Sequence, residues 1–163
     1  MASGVAVCDE VKNLYDTMKV VHNEDKPEDR VRLAIFKIVK NNEVIEISKK
    51  YTQKDLGDST PFSIFCQEMD ECPCFYALYD CHFETESHVE KDELIFITWT
   101  SDAGAIKNKM LYSSSKEQLK KCFQGVKHTM QLNDRSDWSK KTIAEKLQDK
   151  NSLRVAKIDN VPI

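Results

Sequence analysis

Six cysteines, at positions 8, 66, 72, 74, 81 and 122, are the first residues in this chain whose chemistry could carry a function. Cys72-Pro73-Cys74 leaves one residue between its thiols rather than the two of a zinc knuckle or thioredoxin motif, and no second Cys/His pair stands at ligand spacing. We therefore expect no metal and no cofactor, and read the cysteines as core thiols with loop neighbours. A small thiol-dependent enzyme using Cys72 and Cys74 is the less favoured alternative. Three consecutive serines, Ser113 to Ser115, lack the paired histidine and the Gly-x-Ser-x-Gly turn that a nucleophilic serine needs. Within a helix such hydroxyls bond back to a preceding carbonyl, or let another backbone come close. The stretch IKNKMLYSSS, residues 106–115, offers a different chemistry. At about 100° per residue, Leu111, Tyr112, Leu119, Cys122, Phe123 and Val126 share one helical face. Ile106, Met110, Ser114 and Lys121 share the other, with Lys107 beside them and Lys109 and Lys120 along the edge. Apolar side chains ringed by lysines and hydroxyls fit a protein contact surface, and equally fit a solvated face whose methionine lies under a loop.

These residues need elements to hold them. Val11, Leu14, Tyr15 and Met18 recur at helical spacing and predict a helix from Cys8 to Val20, with Asp9 and Glu10 in its first turn. Residues 1–7 fall before it as a flexible arm of small residues. RVRLAIFKIV and NNEVIEISKK read as two strands of a hairpin turned by Asn41-Asn42, and residues 51–59 as a loop. Thr60-Pro61 suits the start of a helix whose apolar face is Phe62, Phe65 and Met69. FYALYDCHF and ELIFITW predict two more strands around a charged loop, ETESHVEKD. The long helix follows, then a short one at KKTIAEKL and a tail ending LRVAKIDNVPI. Helices interleaved with strands imply an α/β chain, a mixed central sheet flanked by helices on both faces.

A chain of 163 residues suits one compact domain, and 40% hydrophobic with 31% charged residues describes an ordered soluble protein. Net charge is −3, so no global field draws it to nucleic acid, and no apolar run is long enough for a membrane span or signal peptide. We expect a cytoplasmic monomer that binds no nucleic acid. MASG lacks glycine at position 2, so myristoylation is not indicated.

MASGVAV at the start, MKV at 18–20, YALYD at 76–80, the strand ending in Trp99, DAGAIKNKMLYSSSKEQLK at 102–120 and IAEKL at 143–147 together resemble the ADF/cofilin family, closely in the manner of a vertebrate-type cofilin. The likeness runs over almost the whole chain. It implies the ADF-homology (gelsolin-like) fold and a non-enzymatic, cytoskeleton-associated protein that binds G-actin and F-actin. Preference for ADP-actin and the severing and depolymerisation of filaments are implied as well, the nearest alternative being an ADF-homology protein that binds actin without depolymerising it.

By resemblance, the contact with actin monomers and filaments falls on Ala2, Ser3, Gly4, Lys107, Lys109, Met110 and Ser114. A filament-only contact falls on Glu90, Lys91 and Asp92, in the loop before the strand ending at Trp99, with Arg135, Lys140 and Lys141. Ser3 matches an inhibitory phosphorylation site, which implies a Ser3-directed kinase and phosphatase. His128, near a helix end and with Glu93 as its acidic neighbour, matches a pH-sensing position. Lys120, Lys121, Lys127 and His128 match a basic cluster for phosphoinositide head groups. Two departures stand out: Ser101 and Gly104-Ala105 replace prolines usual before the long helix, implying a less rigid start, and PEDRVRL replaces a basic nuclear-import run.

Overall fold

A computed structural model of the chain describes residues 4–19, 27–39, 41, 43–148, 154–159 and 161–162. β2 (Val31–Val39) and β3 (Val44–Thr52) form the expected antiparallel hairpin, and Asn41 turns it with φ of 59°. β4 (Cys74–Thr85) pairs with β2 on one side and along its full length with β5 (Glu90–Thr100) on the other, both antiparallel. The strands reach further into the charged segment than the sequence suggests: Glu90, Lys91 and Asp92 belong to β5 and face β4, not a loop.

Four further strands lie outside the sequence reading. β1 (Ala6–Val7) runs parallel to β3, and β6 (His128–Leu132) parallel to β5, giving the order β1-β3-β2-β4-β5-β6. β7 (Val155–Ile158) pairs with the far end of β4, and β8 (Val161–Pro162) with β7. The described part of the arm is therefore not free, since Val5 is buried and Ala6 and Val7 are in the sheet. The 51–59 segment is not all loop either. Thr52 caps a one-turn helix, α2 (Gln53–Leu56), by accepting from Asp55 N while the Asp55 carboxylate accepts from Thr52 N.

Helices cover both faces of the sheet, so its inner strands read as almost continuous apolar runs. Leu33 and Ile35 of β2 and Phe75, Ala77 and Tyr79 of β4 point to one face, where α3 (Pro61–Glu71) and α5 (Lys140–Leu147) supply Phe65, Met69, Ile143 and Leu147. Ala34, Phe36, Tyr76 and Leu78 point to the other. There α1 (Asp9–Lys19) and α4 (Ile106–Cys122) contribute Val11, Tyr15, Tyr112 and Leu119. The Thr60 cap of α3 forms as expected, its hydroxyl accepting from Ser63 N. No helix among the described residues is long and apolar enough to cross a membrane.

Candidate functional site

α4 is fixed to the sheet by Tyr112, Ser115, Leu119 and the adjoining Phe123, all buried. Where the β2–β4 ladder ends at Phe36, the Tyr112 hydroxyl takes over and accepts a hydrogen bond from Ile38 N at 3.1 Å. Tyr76 donates its own hydroxyl to the Tyr112 carbonyl, so two tyrosines lock the middle of the helix in rotation and height. The serines divide accordingly. Ser115 is fully buried against the sheet side, whereas Ser114 is exposed and bonds back to the Leu111 carbonyl at 3.1 Å.

This anchoring leaves the opposite face bare. Ile106 is 75% exposed and Met110 67% exposed, one helical turn apart, with Lys107 and Ser114 exposed beside them. Ile106 shares the helical face that the periodicity assigns to Met110, although it is not among the positions that the family resemblance assigns to actin. Lys109 differs from a free surface cation: it is partly buried and its ammonium lies 3.2 Å from Asp102 Oδ1. Gly4 is exposed with φ of +79°, and β1, which follows it, packs against α4. Ala2 and Ser3 lie outside the described residues.

The approach to α4 is built without the prolines. Ser101 N donates to Pro73 O at 2.8 Å, Gly104 N to Ser101 O at 2.9 Å, and Ala103 N to Ser101 Oγ at 3.2 Å. A proline at 101 has no N–H for the first of these, so hydrogen bonds here replace the rigidity that the missing ring would have supplied. A Cβ on Gly104 would sit 3.2 Å from both Pro73 Cβ and Ser101 O, which explains a residue without a side chain at that point.

The other predicted sets are only partly assembled. Asp92 accepts from His82 Nδ1 at 2.9 Å and lies 3.4 Å from Arg30, while Lys91 is exposed. Parallel pairing sets Ile95 beside His128 and Trp99 beside Leu132, so Arg135, just after β6, stands at the opposite end of β5 from Glu90. Nine strand steps separate Glu90 from Trp99, about 30 Å at about 3.3 Å per residue. Arg135 is bound instead to Asp70 of α3. Lys140 sits over the Phe62 ring and Lys141 is exposed near Glu86. His128 opens β6 rather than ending a helix, and its Nε2 is 2.6 Å from Glu93 Oε2, with Lys127 3.7 Å from the other carboxylate oxygen. One glutamate thus already engages two members of the basic cluster; Lys120 and Lys121 are exposed in the last turn of α4.

Among the described residues no group of His, Cys, Asp and Glu could hold a metal ion. Burial pushes the Cys74 thiol above its ordinary range, the reverse of what an activated nucleophile needs.

A family model described as cofilin/tropomyosin-type actin-binding protein matches residues 4–148. The chain belongs to that family. Membership makes it an actin-binding protein and not an enzyme, which removes the thiol-enzyme alternative. The ADF/cofilin of Trypanosoma brucei is 32% identical, with a TM-score of 0.63 over 90% of this chain and 96% of that one. Streptomyces griseoflavus cofilin is 26% identical, with a TM-score of 0.71 over 88% and 96%. Human coactosin-like protein, 15% identical with a TM-score of 0.64 over 88% and 97%, shares the fold alone. Among the described residues, this family member therefore presents its most exposed large apolar pair on a helix fixed to the shared sheet.

Proposed function

We propose that this protein binds both monomeric and filamentous actin through the outer face of α4 and the N-terminal arm, prefers ADP-actin, and severs and depolymerises filaments. The observation that carries this reading is the Ile106–Met110 pair, exposed on a helix whose other face is anchored. Met110 and Ile106 fill an apolar cleft, Lys107 meets acidic groups at its rim, and Ser114 permits close approach of the partner backbone. Lys109 keeps its bond to Asp102 or exchanges it for the partner, so Lys107 carries more of the net attraction. Phosphorylation at Ser3 adds about −1.5 to −2 charges to the arm, opposing an acidic partner and lowering affinity. A kinase and a phosphatase acting there, phosphoinositide competition at Lys120, Lys121 and Lys127, and a cytoplasmic, cytoskeletal location belong to the same proposal.

His128 and Glu93 supply its pH dependence. Histidine is the side chain that changes charge between about pH 5 and 8, and filament disassembly is expected to be weaker at the acid end. The filament-only contact rests on Glu90, Lys91 and Asp92, joined by Lys140 and Lys141. Arg135, committed to Asp70 at the far end of β5, contributes through a separate patch or not at all.

Sedimentation of ADP-actin filaments with the protein at two pH values, beside the Lys107→Ala/Lys109→Ala variant, tests this. Wild type should pellet with filaments and move actin to the supernatant, more so at the higher pH, while the variant does neither. Wild type that pellets without releasing actin would leave binding and remove depolymerisation. Wild type that stays in the supernatant over undisturbed filaments would overturn the proposal.

A further inference from the structure

The last turn of α3 holds a second cluster of reactive groups, remote from the outer face of α4. Cys72 Sγ lies 3.0 Å from the Lys37 ammonium of β2 and 3.6 Å from Glu68 Oε1, to which the thiol donates. Glu68 is buried and accepts from Lys37 at 3.1 Å and, through its other oxygen, from Lys49 of β3 at 3.1 Å. Burial alone would raise the Glu68 carboxyl, but the bonds from Lys49 and Lys37 outweigh it and hold the group below its ordinary range. Burial would likewise lower Lys37, yet its bonds to Cys72 and Glu68 outweigh that and raise it. One sulfur therefore touches both a carboxylate that accepts its hydrogen bond and an ammonium that stays charged. Cys72 and Lys37 are each partly exposed, so a small reagent can reach them.

We propose that Cys72 is a modification site for hydroperoxides, set up by Lys37 and Glu68. The Cys72 sulfur attacks one peroxide oxygen, an S–O bond forms and the O–O bond breaks. Sulfur gives up two electrons and the peroxide gains them. The thiol proton passes by way of Glu68 to the departing oxygen, which leaves as water from hydrogen peroxide or as the alcohol from an alkyl hydroperoxide, and the product on Cys72 is a sulfenic acid. Lys37 donates a hydrogen bond to the departing oxygen and offsets the negative charge developing on it, then ends the step unchanged.

The other cysteines lack this arrangement. Cys66 is also partly exposed and meets the Arg135 guanidinium, but burial outweighs that contact. Burial pushes the thiols of Cys66, Cys74 and Cys81 up and away from reaction. Cys8 and Cys122 are partly exposed, but among the described contacts neither has a lysine at hydrogen-bonding distance. They serve as internal controls.

The test treats the full chain with hydrogen peroxide in the presence of a sulfenic-acid-trapping dione and follows adducts on all six cysteines by peptide mass spectrometry. Cys72 should be trapped about tenfold faster than Cys8 or Cys122. Lys37→Met, checked for native circular dichroism, should bring Cys72 down to their rate, and Lys37→Arg should restore most of the difference. Should Lys37→Met not fold, the wild-type comparison among cysteines decides alone. Equal trapping at Cys72, Cys8 and Cys122, or a folded Lys37→Met reacting at the wild-type rate, overturns the proposal.

Discussion

Asp80 closes YALYD, midway along the long strand β4, with its side chain almost wholly buried. Arg30 Nε is 2.6 Å from its Oδ2 and pairs with it as an ion, in poor alignment for a hydrogen bond. Burial pushes the carboxyl from 3.8 up to about 6, against the opposing pull of Arg30 and Arg32. Between those values the folded protein holds a proton that the unfolded chain has released. Stability therefore falls as pH rises through that window, and above about pH 6 the loss is complete, about 3 kcal/mol at most. Asp80→Asn keeps the shape and removes the titration. Denaturant midpoints should favour the variant by about 2–3 kcal/mol at neutral pH, with the advantage shrinking toward pH 4. A difference that does not vary with pH would refute the assignment. The sequence displayed Asp80 only as one letter of a shared motif. Its burial follows from having α1, α4 and the Arg30 side chain over the same strand, which no local pattern records.

The start of α4 is where an element can be tuned without touching its exposed face. Ala105 is the N-cap and its side chain makes no capping bond. Its φ of −63° is the value that a proline ring imposes, and among the described hydrogen bonds its N–H donates none. Ala105→Pro should therefore stabilise the protein by about 0.4–1 kcal/mol through the unfolded state, read as a higher denaturant midpoint. A lower midpoint would mean that the turn cannot accept the ring. Elements with a strong local signal were legible in this way: the Thr60-Pro61 start of α3, the stripe of α1, the two faces of α4. α2 was legible in principle, since Thr52 and Asp55 have capping-box spacing, and was passed over. β6 was not, because five residues opening with His128 gain their meaning only from the parallel partner β5. That same pairing separates Arg135 from Glu90, so the filament set could be named residue by residue but not assembled.

At the scale of the molecule, β4 divides one of its edges between two partners: β2 along Tyr76–Tyr79, then β7 along Phe83–Thr85. Asp159 ties the division together. Its carboxylate accepts from Arg32 of β2 at 2.5 Å and from the Tyr79 hydroxyl of β4, and it occupies a left-handed turn with φ of 50°. Asp159→Ala strands both donors and strains the turn, and should cost about 3–5 kcal/mol. Asp159→Asn should cost less, because asparagine tolerates the turn and still accepts. Hydrogen exchange should report the loss first at the amides of Val155–Ile158, and protection there unchanged in Asp159→Ala would sink the idea. The divided edge also bears on self-association. A chain ended after Gln148 uncovers the backbone groups of Phe83–Thr85 beside a buried phenylalanine, an open template for a strand from another molecule. Such a chain is expected to sediment as dimers or larger aggregates at concentrations where the intact protein does not.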